Sequence, residues 1–130
     1  MKTVLVTGAN GQLGTSIRCL SGAYNRFQFL FTDVDTLDIC KEESVDVFIQ
    51  THPVDYILNC AAYTAVDKAE ENLELSEQIN RDAVANLARA AQKCQAKVIH
   101  VSTDYVFDGT SCIPYRETDT TNPQSVYGST

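Results

Sequence analysis

Two hydroxyl side chains in the second half of the sequence are of the types that ketone reduction requires. Delivering hydride to a carbonyl carbon needs a proton donor close to the forming alkoxide and a hydroxyl that orients the carbonyl oxygen. Tyr127, in SVYGST, suits the first role and Thr103, in VIHVSTDYVF, the second. A free phenol titrates near about 10, roughly 3 pH units above neutrality, a gap of about 4 kcal/mol. A neighbouring lysine cation narrows such a gap. In a Tyr-x-x-x-Lys pair that lysine would stand at position 131, and the sequence runs to Thr130. Taken alone, Thr103 reads as a turn cap and Tyr127 as an exposed loop aromatic. The setting of Thr103 argues for more, because it follows an apolar strand and parallel sheets take ligands outside the carboxyl ends of their strands.

A second group of residues could hold the hydride source. Directly after the first apolar run comes TGANGQLG, with Gly8, Gly11 and Gly14 at three-residue spacing. Glycines between a strand and a helix let the chain turn tightly, let backbone approach a diphosphate and let the helix pack close to the strand. The helix N-terminus adds free N–H donors and positive dipole charge. Turns alone also demand glycine; the position at the start of a strand–helix–strand pattern is what points to a dinucleotide. Asp33 closes the second strand, 19 residues past Gly14, where a carboxylate can accept hydrogen bonds from an adenosine ribose. A 2′-phosphate would meet like charge there, which favours NADH over NADPH. Arg18 could offset that charge, and Asp33 could equally be a solvated turn acid like Asp35, so the choice between NADH and NADPH stays open.

These groups need a scaffold, and the alternation of patterns supplies one. Residues 3–7, 27–32, 55–60 and 97–102 are short apolar runs rich in β-branched side chains and read as strands. Between the first two, Leu13, Ile17 and Leu20 recur at helical spacing, with Gly22 placed to end the helix. Residues 42–51 carry Val45, Phe48 and Ile49 on one face, and Pro53 stops them. From 72 to 94, Ile79, Ala83, Leu87, Ala91 and Cys94 predict one long helix, and 108–130 reads as loop. The expected fold is α/β: a Rossmann-like, doubly wound parallel sheet with helices on both faces, three layers in all.

Bulk properties narrow the function classes. At 130 residues and 44% hydrophobic composition, the chain suits one domain. Its net charge of −7 disfavours nucleic acid and anionic membrane as partners. Five widely spaced cysteines read as reduced thiols, neither a disulfide frame nor a metal site. The N-terminal apolar run turns into the glycine loop too early for a signal peptide or a span, so a cytoplasmic location is expected.

With the glycine loop, the segments NCAAYTAVDKAE, INRDAVANLARAA, VIHVSTDYVFDG and YRETDTTNPQSVYGS occur in one order. The chain thereby resembles the extended short-chain dehydrogenase/reductase superfamily, and within it the dTDP-4-dehydrorhamnose reductase family. The resemblance implies that Gly11, Gln12 and Leu13 line the cofactor diphosphate, with Asp38 and Ile39 near the adenine. It places Ala61, Ala62, Tyr63 and Thr64 beside the ribose and nicotinamide, Thr103 and Tyr127 at the reacting carbonyl, and Thr103 and Asp104 against the sugar. It further implies a nucleotide-sugar substrate, reduced at its 4-keto group. The 130 residues would be the N-terminal part of an NAD(P)-binding Rossmann domain, inactive by itself, with later strands and a substrate-binding region lying outside it. An apolar patch and an unpaired strand edge would then promote self-association.

Other residues read more plainly. His100, inside an apolar strand, is expected in the core, and His52 at a helix end or surface. Asp67, Lys68 and Glu70 either form a solvated helix face or reach the substrate pocket. Asn80 either supports the site backbone or is exposed. Two other functions remain: a non-catalytic nucleotide-binding or regulatory subunit, which has no chemical need for Thr103 and Tyr127, and a nucleotide-sugar epimerase.

Overall fold

Each of the four expected strands forms. The computed structural model describes residues 1–130 and contains one parallel sheet of β1 (Lys2–Thr7), β2 (Phe27–Phe31), β3 (Tyr56–Asn59) and β4 (Lys97–His100), in the order β2-β1-β3-β4. Val4 of β1 lies opposite Phe29 on one side and Tyr56 on the other. Being central, β1 buries Val4, Leu5 and Val6, which is why its sequence is a continuous apolar run. The chain grows outward to β2, then returns across β1 to β3. That reversal makes the crevice between the carboxyl ends of β1 and β3 a topological switch point, where open α/β sheets take ligands.

The same reversal puts helices on both faces. Side chains alternate along a strand, so Leu5 and Ile57 point one way and pack with Val45 and Ile49 of α2 (Glu42–Thr51) and Leu87 and Ala91 of α5 (Ala83–Cys94). Phe31 points the other way, towards α1 (Gln12–Ser21), whose Arg18 guanidinium lies 4.5 Å from the centre of the phenyl ring. This stacking, worth about 0.5–1 kcal/mol at an exposed site, gives Arg18 a local role on the sheet face. Helix α1 ends at Gly22, as expected, and α5 ends at Gln95 in the left-handed conformation, φ 59°.

Three expectations need correction. The helix expected over 72–94 runs unbroken from Leu73 to Cys94 but is not α-helical throughout: a π-helical turn, Gln78–Asp82, joins α4 (Leu73–Glu77) to α5, and a separate helix, α3 (Val66–Glu71), precedes it and meets it at Asn72, whose backbone leaves the helical region. The extra residue of that turn accompanies Asn80, whose side chain is bonded to the backbone of Tyr63; π turns often mark such sites. The expected tail loop contains a short helix, α6 (Val126–Ser129), where Ser125 Oγ accepts the Gly128 N–H at 3.1 Å. His100 is exposed, because it closes β4 at the sheet edge, beyond the cover of α5. Strand β4 is paired on one side only, and Ile99 and Val101 are exposed there.

One buried side chain ties this core to the crevice. Asn86 of α5, 6% exposed, donates from Nδ2 to the carbonyls of Ile39 and Cys40 at 3.0 and 3.2 Å. Arg89 and Lys93 also bridge to α2, at 3.2 Å to Glu42 and 2.6 Å to Asp46, but these pairs are solvent-exposed and contribute little. Asn86→Ala leaves two carbonyls without their partner and is expected to lower stability by about 1–3 kcal/mol, read as a reduced urea midpoint at unchanged slope. A change below about 0.5 kcal/mol, ordinary for surface substitutions, would show that the bonds are dispensable.

Candidate functional site

The glycine loop and the exit of β3 are in backbone contact. Gly8 has φ 63°, and a Cβ added there would lie 2.6 Å from both Cα and N of Ala61. A Cβ on Gly14 would lie 2.5 Å from Ala9 Cα, so the first turn of α1 rests directly on the loop. The loop is held from the β2 side as well: Ala9 N–H donates to the Thr32 carbonyl at 3.0 Å and Asn10 N–H to Asp33 Oδ2 at 2.8 Å. Asp33 Oδ1 accepts Val34 N–H at 2.9 Å. Asp33 thus anchors the loop, a role that its spacing from Gly14 did not disclose.

Around this contact lies a cavity of about 280 Å³. Of the residues expected to bind cofactor, Gly8, Gly11, Asp33, Asp38, Ile39, Ala61 and Ala62 line it. Gln12, Leu13 and Gly14 sit just outside its walls, in the first turn of α1. Tyr63 and Thr64 line neither this cavity nor the next. Asn80 holds Tyr63 in place, accepting its N–H at 2.8 Å and donating to its carbonyl at 3.1 Å. Cys40, Cys60 and Ile79 are wall residues that the sequence reading assigned to no site; as apolar positions in apolar runs they carried no distinguishing signal.

The electrostatics of the walls are moderate despite the acidic chain. Lys41 Nζ lies 3.0 Å from Asp38 Oδ2 and holds that carboxyl below its ordinary range, helped by the Cys40 N–H. Burial pushes the thiols of Cys40 and Cys60 up, and the Asp38 charge adds to the effect at Cys40, so both stay protonated and act as apolar surface. Helix α1 has no side-chain cap and no acidic residue in its first turn, which leaves its leading N–H groups to an anion.

A polar ladder crosses the strand ends. Thr7, Asn59 and His100 stand in register on β1, β3 and β4. Thr7 Oγ1 donates to Asn59 Oδ1 at 2.5 Å, and the Ala61 N–H donates to the same oxygen at 3.2 Å. Because a peptide N–H only donates, this oxygen is fixed, and Asn59 Nδ2 must face His100 Nδ1, 3.0 Å away. His100 therefore accepts at Nδ1 and carries its proton on Nε2.

Beyond the ladder is a second cavity, of about 200 Å³, whose walls include Thr103, Tyr127, Asn80 and His100. Ala62 lines both cavities, which joins the two into one cleft along the carboxyl ends of β1, β3 and β4. Thr103 Oγ1 accepts the Tyr105 N–H at 3.2 Å and donates to Asp104 Oδ1 at 3.3 Å, so it caps the turn Asp104–Val106 while facing the cleft. Asp104, expected at the sugar, lines a neighbouring hollow with Tyr105 and Phe107 while its carboxylate meets Thr103 of the cleft. The Tyr127 ring packs edge-on to Tyr105 at 5.5 Å between centroids.

The sequence profile of the RmlD substrate binding domain matches residues 1–130. A dTDP-4-dehydrorhamnose reductase of Aggregatibacter actinomycetemcomitans is 41% identical over 128 residues, 98% of this chain and 44% of that protein. Among solved structures, a dTDP-4-dehydrorhamnose reductase of Clostridium acetobutylicum superposes with a TM-score of 0.94 at 44% identity, covering 98% of this chain and 45% of its own. A second, from Bacillus anthracis in complex with NADP, gives 0.93 at 35% identity, covering 99% and 46%. The chain thus spans somewhat less than half the length of the relatives it matches. No helix is long and apolar enough to cross a membrane.

The segment between the second cavity wall and Tyr127 is knotted on Asp108. Its carboxylate accepts the Thr110 N–H at 3.1 Å, Thr110 Oγ1 at 2.8 Å, the Tyr115 hydroxyl at 2.9 Å and Asn122 Nδ2 at 3.3 Å, and the Tyr115 ring stacks on Phe107. These donors, the Thr110 N–H foremost, hold the carboxyl far below the usual aspartate range. A depressed carboxyl adds stability above its ordinary value of about 3.9, lost only as pH falls through the depressed one. Carbon-detected NMR is expected to find Asp108 still ionised at a pH of about 3, where free aspartates are mostly protonated. Titration near the ordinary value would show the knot to be open in solution.

Proposed function

The chain belongs to the RmlD substrate binding domain family, and on that premise we propose that the whole protein reduces the 4-keto group of dTDP-4-dehydro-6-deoxy-L-mannose to give dTDP-L-rhamnose. Residues 1–130 serve as the N-terminal part of its NAD(P)-binding Rossmann domain. The observation that carries this reading is the joined cleft: Thr103 and Tyr127 line a cavity that shares Ala62 with the glycine-loop cavity.

The residues fit a dinucleotide. Gly8 leaves no room for a side chain where backbone must approach a diphosphate, and Gln12 and Leu13 begin a helix whose N–H groups have no cap. NADH or NADPH bound there would supply the hydride. Asp33, Asp38 and Ile39, on the cavity wall, would flank its adenosine end, and Ala61 and Ala62 line the side towards the second cavity. In that cavity Thr103 orients the carbonyl oxygen, and the Tyr127 hydroxyl gives its proton to the oxygen as the carbon is reduced. Asp33 favours NADH, whereas the B. anthracis relative holds NADP, so the protein is read as accepting either.

A regulatory subunit would have no chemical use for Thr103 and Tyr127 in one cavity, which favours the enzyme. The whole protein is expected to oxidise NADH or NADPH stoichiometrically with the keto sugar, and Tyr127→Phe to lower kcat by about 10²–10⁴-fold at unchanged coenzyme affinity. Turnover without net coenzyme oxidation would identify an epimerase, and binding without turnover a non-catalytic module. We further propose that the 130-residue chain self-associates through the open β4 edge, where Ile99 and Val101 are exposed; light scattering should show mass rising with concentration, and a constant monomer mass would refute it.

A further inference from the structure

Tyr127 stands in the first turn of α6, directly after Val126. Beside the local cap from Ser125, distant parts of the chain also restrain it. Glu70, near the end of α3, extends its carboxylate so that Oε1 accepts the Val126 N–H at 2.9 Å, across 56 residues of sequence. On the other side of the tyrosine, Thr130 Oγ1 accepts Asn80 Nδ2 at 3.2 Å and lies 3.2 Å from Ser76 Oγ. Gly128 closes the third side: a Cβ there would collide with the Tyr105 carbonyl oxygen.

Among these tethers Glu70 has no other task. Asn80 also holds Tyr63, and Gly128 answers to packing, but Glu70 enters no ion pair and makes no other side-chain hydrogen bond. Hydrogen bonds to an ionised acceptor are the strong kind. Helix α3 begins four residues after Ala62, which lines both cavities, so Glu70 links the chain that leaves that wall to the residue preceding Tyr127.

We propose that Glu70 is a positioning residue for Tyr127: by holding the Val126 N–H it sets where the phenol stands relative to Thr103. The inference rests on the reduction proposed above, in which a misplacement of about 1 Å costs on the order of 10²-fold in rate.

The test compares the whole natural protein with its Glu70→Ala and Glu70→Gln variants, by amide exchange over residues 125–129 and by steady-state kinetics with NADPH and the keto sugar. Glu70→Ala is expected to speed exchange about tenfold and lower kcat about tenfold, with KM for NADPH within about twofold. Glu70→Gln keeps an amide oxygen that can accept the Val126 N–H and is expected to stay within about threefold of the native protein in both readouts. If Glu70→Ala does not fold, Glu70→Met, which keeps the bulk and removes the acceptor, is held to the same criteria. A native kcat in the acceptor-free variant, equal losses in Glu70→Gln, or a loss confined to KM would overturn the proposal. If the native protein reduces no keto sugar, the function proposed above fails instead, and the exchange comparison alone decides: unchanged exchange overturns the tether, and acceleration spared in Glu70→Gln upholds it.

Discussion

Everything in this molecule is arranged around the contact between Gly8 and Ala61. Two parallel strands lie side by side, and the chain leaving each must turn away without colliding with the other. With φ 63° and no side chain, Gly8 lets the exit of β1 pass within van der Waals distance of the exit of β3. From that contact follow the start of α1, the crevice at the reversal of strand order and the wall shared by both cavities. Asp33 and Thr32 hold the loop from one side and Thr7 and Asn59 fix Ala61 from the other, so the polar groups at the strand ends are satisfied by the elements they position.

An acidic chain that offers a place to an anion must arrange its charges locally. The net charge of −7 is carried largely on outward faces, while the first turn of α1 has no carboxylate and Asp38 is neutralised by Lys41. Beside Asp33, whose carboxylate is engaged by the loop N–H of Asn10, the remaining walls are two glycines, two alanines, Val34, Leu37, Ile39, Ile79 and two thiols kept protonated by burial. A mostly apolar crevice with a few aimed polar groups is what binds a flat, charged-in-the-middle ligand with orientation.

The strands were legible because those of a parallel sheet are continuous apolar runs, and α1 and α2 because Gly22 and Pro53 punctuate them. The helix over 72–94 was legible as a whole, but the π turn inside it was hidden: Ile79, Ala83, Leu87 and Ala91 recur every fourth residue, and a π turn shifts such a stripe without erasing it. Helix α6 is too short to show a period. His100 looked like core because its neighbours are apolar, and only its place at the uncovered end of an edge strand makes it exposed. On the cavity wall, Gly8, Gly11 and Asp33 could be read from motif and spacing, and Ala61 and Ala62 only through the family resemblance, whereas Cys40, Cys60 and Ile79 could not be read at all, since an apolar wall and an apolar core look alike in sequence. The reach of Glu70 to Val126 spans 56 residues and exists only in the folded chain.

The measurement that bears most directly on this account is an NMR titration of the isotopically labelled 130-residue chain with NADH and with NADPH. The account predicts saturable shifts of the Gly8, Gly11, Asp33, Ala61 and Ala62 amides. Absence of saturable shifts with either coenzyme, or shifts confined to the hollow beside Asp104, would contradict it.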